Sequence, residues 1–195
     1  MIVFDLDGTL IDSSRGIYLA YRDACLAHKL KNKTYNQFKA IIGPPFPKMF
    51  KTIHPNENSE LSYIICNKFA ELYSQKCYYS NFDLRENTES VLSKLFSCYS
   101  MSILTNKKTA IARSIIEASN ISSFFEFIAG RDFYHESQTK YDVLKRMLEN
   151  NVIPSGSTYV GDTNDDRQMS ISLGLKFIGL VSLFTDKPLS TEYAS

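Results

Sequence analysis

Two carboxylates near the start of the chain stand two residues apart and are followed at once by a glycine. The apolar run 2–4 leads into Asp5 and Asp7, and Gly8 comes next. In an extended chain, residues two apart point to the same side, so both carboxylates can face one point. A divalent cation relieves their mutual repulsion, and oxygen ligands suit Mg²⁺. A Mg²⁺ site and a strand that ends in a polar turn both fit this pattern.

The same two carboxylates are suited to phosphoryl transfer. Asp5 can attack phosphorus and form an aspartyl-phosphate, which divides a difficult hydrolysis into two steps. Asp7 can protonate the leaving oxygen and later activate water, as a general acid and then a general base. This chemistry needs further groups that bind the phosphate and complete the metal site.

Three later segments offer such groups. Thr105 and Asn106 can bind phosphate oxygens, or cap the helix that follows them. Lys140 can offset the charge that develops on a transferring phosphoryl group. The acidic loop 161–166, which contains Asp162, can complete a Mg²⁺ site with Asp5, or cap the next helix.

The elements that must position these residues alternate along the chain. The predicted strands span residues 2–5, 99–105, 125–129, 157–161 and 176–180, and the predicted helices span 86–96, 109–119, 141–150 and 166–173. Such alternation is typical of a parallel α/β sheet, in which ligands bind beyond the carboxyl ends of strands. Two of the predicted strands end at Asp5 and Thr105 and a third ends directly before Asp162, so we expect these side chains to share one edge of the sheet.

A helical insertion interrupts this alternation. Residues 13–81 carry only helical signals, interrupted by the helix-breaking sequence Gly43-Pro44-Pro45. We therefore predict a helical domain over 13–81 and an α/β core built from 1–12 and 82–195. Two apolar helical faces are predicted in the insertion, formed by Ile17, Tyr21, Ala24 and His28, and by Leu61, Ile64, Ile65, Lys68, Phe69 and Leu72.

Composition narrows the class of protein further. The 195 residues are 44% hydrophobic and 22% charged, which suits one domain with a modest insertion. The net charge of +1 predicts no nucleic-acid partner. Without a long apolar run or a signal peptide, we expect no membrane association and a cytoplasmic location. The 4 cysteines lack metal-site spacing and are interpreted as reduced thiols.

Taken together and in order, the polar segments resemble the four motifs of the haloacid dehalogenase (HAD) superfamily of phosphohydrolases. The matching segments are Asp5-Leu6-Asp7-Gly8-Thr9, Thr105-Asn106, Lys140 and Gly161-Asp162-x-x-x-Asp166. The resemblance covers essentially the whole chain, and the helical insertion stands where this superfamily carries a small cap. It implies a Rossmann-like parallel sheet core with an inserted α-helical cap, and Mg²⁺-dependent phosphoryl transfer.

The resemblance also implies a role for each matching residue. Asp5 would be the nucleophile and a metal ligand, and Asp7 the acid–base residue that gives its backbone carbonyl to the metal. Asp162 would be a further metal ligand and Asp166 an auxiliary acidic residue. The phosphate would be held by Thr105, Asn106 and Lys140. The segment Gly43-Pro44-Pro45 is predicted to form a substrate loop of the cap.

Within the superfamily, the sequences around Gly43 and Thr105 look most like the phosphoglycolate phosphatase-like branch, although Tyr141 stands where that branch often has proline. We therefore expect a phosphatase of small phosphate monoesters, phosphoglycolate-like or sugar phosphates, that is monomeric or homodimeric. A phosphomutase, a pyrophosphatase and a non-catalytic phospho-ligand binding protein are the alternatives. A receiver-type signalling module is disfavoured by the long insertion after the first strand.

Overall fold

The computed structural model describes residues 1–134 and 138–184. The predicted core range 82–195 therefore includes residues that lie outside the described part. The chain forms two compact units, one made of Met1–Ile11 and Leu84–Ser195 and the other of Asp12–Asp83.

The first unit is built on a parallel sheet of the strands β1 (Ile2–Phe4), β4 (Met101–Leu104), β5 (Phe127–Ala129), β6 (Thr158–Gly161) and β7 (Lys176–Gly179). The order of these strands in the sheet is β5-β4-β1-β6-β7. Its helices are α6 (Thr88–Phe96), α7 (Thr109–Ala118), α8 (Lys140–Glu149) and α9 (Asn164–Ser172), with a short 3-10 turn at Ser122–Phe124. Two further short strands, β2 (Ile11–Asp12) and β3 (Asp83–Leu84), pair in a separate two-stranded sheet.

The strands form where β-branched and aromatic residues can be buried on both faces of a parallel sheet. All of β4 is buried, and Val3 of β1 and Tyr159 of β6 are 0% exposed. Val3, Leu104 and Tyr159 share a core with Val143 and Met147 of α8. The observed elements confirm the predicted α/β class, and most of their ends lie within one or two residues of the predicted ones.

The second unit is helical. It contains α1 (Ser14–Ala27), α2 (Tyr35–Lys39), α3 (Phe46–Ile53), α4 (Ser59–Tyr73) and α5 (Lys76–Tyr79). Tyr21 of α1 is fully buried and stacks on Phe38 of α2, with 4.4 Å between the ring centroids. As predicted, the Gly-Pro-Pro segment lies outside the helices, between α2 and α3.

The predicted helical faces were only partly right. Ile17, Tyr21 and Ala24 are buried, but His28 is the exposed residue at which α1 ends, because the chain leaves the helix there. In α4, Ile65 is buried whereas Ile64 is 38% exposed, so the apolar face is narrower than its sequence indicates. In the described part of the chain, no helix has the length and apolar character needed to cross a membrane.

Candidate active site

The carboxyl ends of the central strands bring the predicted site residues of the first unit together. Asp5 directly follows β1, Thr105 follows β4 and Asp162 follows β6, and β1 pairs with both of the other strands. Asp5 is anchored through its backbone, because its N–H donates to the carbonyl of Val160 at 2.8 Å. The pairing thus delivers three polar residues from distant parts of the sequence to one edge.

A cluster of buried carboxylates lies at this edge. One carboxylate oxygen from each of Asp5, Asp162 and Asp166 lies within 4.8 Å of the others, and all three residues are at most 5% exposed. Lys140, at the start of α8, donates from Nζ to Asp5 Oδ1 at 2.6 Å and to Asp166 Oδ1 at 2.7 Å. Residues that follow β1 and β6 and residues of α8 and α9 therefore meet in one buried, charged group.

Burial and mutual repulsion shift the pKa values of this group. Burial raises the pKa of the Asp5 carboxyl well above its usual range; the Lys140 ammonium opposes this shift, and the negative charges of Asp166 and Asp162 add to it. The pKa of Lys140 is lowered by burial but raised more by Asp166 and Asp5, so it lies well above its usual value. The cluster thus keeps Lys140 charged, while burial and the neighbouring carboxylates favour the protonated form of Asp5.

Asp166 combines the two roles that the sequence left as alternatives for the acidic loop 161–166. Its Oδ1 accepts from Lys140, while its Oδ2 accepts from the backbone N–H of Thr163 at 3.2 Å, in a capping box at the start of α9. Helix capping and membership of the carboxylate cluster coexist because each uses a different carboxylate oxygen. The cap also fixes the direction in which Asp166 points toward Lys140.

Two glycines allow the carboxylates to come this close to the backbone. Gly8 has φ +79°, and a Cβ there would overlap the Asp162 carboxylate. A Cβ at Gly161 would lie 2.8 Å from Cβ and Oδ2 of Asp166. Each glycine therefore stands at a position where a larger residue would displace a carboxylate of the cluster.

Asp7 lies beside Lys107, which was not among the predicted site residues. Lys107 Nζ is 2.8 Å from Asp7 Oδ1. The backbone N–H of Lys107 donates to Thr105 Oγ1 at 3.3 Å, and Thr105 is fully buried. Asn106 is half-buried between them. The position of Lys107, directly after the predicted phosphate-binding pair, was the available signal.

Two hydroxyl groups hold the Asp162 carboxylate. Thr9 Oγ1 donates to Asp162 Oδ1 at 3.2 Å, and Ser182 Oγ donates to Oδ2 at 2.5 Å. Burial raises the pKa of Asp162, and the hydrogen bond from Ser182 acts in the opposite direction. Ser182 was not among the residues predicted from the sequence; its position shortly after β7, at the same edge of the sheet, was the signal that could have indicated it.

The predicted substrate loop belongs to the helical unit. Gly43 and Pro44 are half-buried and Pro45 is exposed, and α3 begins directly after them. Gly43 has φ +148°, which favours glycine. The role of this loop toward a substrate stays a prediction.

A comparison with known protein families identifies the family to which this chain belongs. The sequence model described as haloacid dehalogenase-like hydrolase matches residues 2–180. The chain belongs to the haloacid dehalogenase-like hydrolase family. This confirms the resemblance identified from the four motifs.

Curated relatives of this HAD family member carry different activities in their names. The tyrosine-protein kinase PtkA of Mycobacterium tuberculosis is 28% identical over 168 residues, which cover 85% of this chain and 56% of that protein. The chain thus spans just over half of that relative's length. The phosphoglycolate phosphatase of Aquifex aeolicus is 28% identical over 189 residues, which cover 90% of this chain and 82% of that protein.

Solved structures agree on the fold. A haloacid dehalogenase-like family hydrolase from Streptococcus pneumoniae superposes with a TM-score of 0.81 at 27% identity, covering 91% of this chain and 82% of that one. The structure of PtkA from Mycobacterium tuberculosis superposes with a TM-score of 0.77 at 25% identity and covers 100% of this chain and 91% of that one. The HAD-like Rossmann fold is therefore shared with both.

Proposed function

We propose that this chain is a Mg²⁺-dependent phosphatase that hydrolyses small phosphate monoesters, phosphoglycolate-like or sugar phosphates, through an aspartyl-phosphate. The observation that carries the proposal is the buried convergence of Asp5, Asp162 and Asp166 on one point, with Lys140 within 2.7 Å of two of them. Membership of a hydrolase family and the relatives named phosphatases support it.

The donor set of the cluster fits a hard divalent cation. It offers carboxylate oxygens only, which suit Mg²⁺ better than a softer metal. With its three carboxylates ionised, the cluster would carry two more negative charges than the single ammonium of Lys140 offsets, and a divalent cation would balance them. Asp5, Asp162 and the backbone carbonyl of Asp7 would hold Mg²⁺, with Asp166 nearby; when bound, it supplies positive charge that stabilises the phosphoryl oxygens.

The first chemical step belongs to Asp5 and Asp7. A carboxylate oxygen of Asp5 forms a bond to phosphorus as the bond from phosphorus to the ester oxygen breaks. Asp7 gives its proton to that departing oxygen, which leaves as an alcohol. Thr105 and Asn106 bind the phosphoryl oxygens, and Lys140 balances their charge.

The second step returns the site to its starting state. Water attacks the phosphorus of the aspartyl-phosphate, and Asp7 accepts a proton from that water. The bond between phosphorus and Asp5 breaks, which releases inorganic phosphate and restores the Asp5 carboxylate. Lys107, at 2.8 Å, holds Asp7 in place between the two steps.

The test measures phosphate release from phosphoglycolate, sugar phosphates, pyrophosphate and p-nitrophenyl phosphate, with Mg²⁺ and with EDTA. Asp5→Asn is the decisive variant, and Asp165→Asn is its control, because Asp165 is an exposed carboxylate in the same acidic loop. We expect release that requires both Mg²⁺ and Asp5 and survives Asp165→Asn. Release that persists in Asp5→Asn would overturn the nucleophile assignment.

The same assay separates the alternatives. Pyrophosphate as the best substrate favours a pyrophosphatase, and phosphoryl transfer to a sugar phosphate favours a phosphomutase. Because one relative is named a tyrosine-protein kinase, ATP with a tyrosine peptide is included as a further substrate pair. Binding without turnover would favour a phospho-ligand binding protein. The proposal also includes a small phosphorylated metabolite as the binding partner and a monomeric or homodimeric state. It includes no association with nucleic acid or with a membrane.

A further inference from the structure

Arg85 binds the backbone of two loops at the catalytic edge of the sheet. Its Nε donates to the carbonyl of Thr9 at 2.7 Å, and its Nη2 donates to the carbonyls of Gly8 at 2.8 Å and Val181 at 2.6 Å. Its own backbone N–H donates to the carbonyl of Leu10 at 2.8 Å. One guanidinium therefore ties the turn that follows Asp7 to the loop that follows β7.

These two loops carry the hydroxyl groups that bind Asp162. Thr9 donates to Oδ1 and Ser182 to Oδ2, so each oxygen of this carboxylate is held by a different loop. A direct backbone contact between the loops, from the N–H of Leu183 to the carbonyl of Gly8, is long at 3.4 Å. The hydrogen bonds of Arg85 are shorter than this direct contact, so the guanidinium is the stronger link between the loops.

The geometry leaves Asp162 able to bind a cation. A carboxylate has about four lone-pair sites, and the two hydroxyls use one on each oxygen. Held from both sides, the carboxylate loses rotational freedom before any ligand arrives, and this preorganisation strengthens binding. If the loops separated, Thr9 and Ser182 could not both reach it.

We propose that Arg85 is a positioning residue for the metal site, which holds the two loops so that Thr9 and Ser182 orient the Asp162 carboxylate. The inference rests on the proposed function in one respect, the binding of a divalent cation at this cluster. It adds a residue outside the four motifs, contributed by the segment between β3 and α6. Lysine cannot replace it, because a single ammonium lacks the planar fork that reaches three carbonyls.

The test is calorimetric titration of Mg²⁺ into the full chain, without substrate. We expect Arg85→Met to raise the dissociation constant for Mg²⁺ about tenfold, because Thr9 and Ser182, the hydrogen-bond partners of Asp162, are then held less firmly. Arg85→Lys is expected to recover only part of the affinity. Arg113→Met, at an exposed arginine of α7, is the matched control and should leave Mg²⁺ affinity unchanged.

A double-mutant cycle distinguishes positioning from general destabilisation. Arg85 acts through Thr9 and Ser182. The fold-loss of Mg²⁺ affinity in the double variant Arg85→Met, Ser182→Ala should therefore be smaller than the product of the losses in the two single variants. A purely structural role predicts independent effects and a lowered melting temperature without a specific loss of Mg²⁺ affinity. If Arg85→Met does not fold, Arg85→Lys and Ser182→Ala complete the same cycle.

The outcomes separate this inference from the proposed function. If Arg85→Met binds Mg²⁺ as tightly as the wild type, the role of Arg85 is overturned and the phosphatase proposal stands. The same holds if the losses of Mg²⁺ affinity caused by Arg85→Met and Ser182→Ala multiply independently. Wild-type protein that binds no Mg²⁺ would overturn the proposed metal dependence, and this inference with it. A tenfold loss that is coupled to Ser182 supports the positioning role.

Discussion

Lys107 Nζ lies 2.8 Å from Asp7 Oδ1, and the two side chains are only 6% and 21% exposed. The pair forms because Asp7 follows β1 and Lys107 follows β4, two strands that pair in parallel. A contact between a buried ammonium and the proposed acid–base residue holds that carboxylate in one place, and this has a measurable consequence.

We expect Lys107→Met to lower kcat by about 10- to 100-fold, because Asp7 loses the charge that holds it and is left partly buried without that partner. Steady-state phosphate release measures the effect. Lys108→Met is the control, since Lys108 is the exposed neighbour at the start of α7. Equal loss of activity in both variants would show that proximity to Asp7 is not the cause.

Asp7→Asn should lower kcat by about 10²- to 10⁴-fold with little change in KM, because the lost function is proton transfer rather than binding. With p-nitrophenyl phosphate the leaving group needs little protonation, so Asp5 can still attack. Stopped-flow absorbance should then show a burst of p-nitrophenol followed by slow turnover. A variant that raises KM alone would contradict the acid–base role.

Gly8→Ala should destabilise the protein and also weaken Mg²⁺ binding. Gly174→Ala separates the two causes, because Gly174 has φ +74° but open space within 4 Å of where a Cβ would lie, whereas Gly8 at φ +79° faces the Asp162 carboxylate. Backbone strain alone costs about 1–2 kcal/mol in the free energy of unfolding. Denaturant titration should therefore show a larger loss for Gly8→Ala, and calorimetry should show weakened Mg²⁺ binding in that variant only.

The helical unit contains a histidine whose surroundings favour its neutral form. The hydroxyl of Tyr21 accepts from the N–H of Lys33 at 2.8 Å and forms a hydrogen bond of 2.9 Å with His54 Nε2. Burial lowers the pKa of His54, and the charge of Lys33 lowers it further, against the opposing charge of Glu57.

The sign of the resulting pH dependence follows from this lowered pKa. The folded state binds the proton more weakly than the unfolded state, so the contribution to stability is complete above the unfolded pKa of about 6.5 and is lost as pH falls toward the folded pKa. We expect His54→Gln to reduce the drop in melting temperature between about pH 7.5 and about pH 5. His28→Gln, at an exposed histidine, should retain the full drop; a full drop in His54→Gln would contradict the assignment.

The sequence predicted the site best where a residue's role follows from its own strand. Asp5, Thr105 and Asp162 were placed at strand ends from apolar runs and the residues that follow them, and the structure brings these ends to one edge. The sequence predicted the burial of a side chain less well where that burial depends on neighbouring elements of the fold. His28 continues the helical periodicity of α1, yet it is exposed, because periodicity does not reveal where a helix ends.

The sequence alone determined three features of this protein: the order of the polar segments, the α/β alternation and the helix break at Gly-Pro-Pro. Each of them depends on residues that lie close together in the chain. Only the tertiary structure decided which distant groups meet. Lys107 beside Asp7, Ser182 on Asp162 and Arg85 on two loops all follow from strand order and loop path. Those contacts depend on how strands pair across the sheet, and the spacing of residues along the chain does not reveal that pairing.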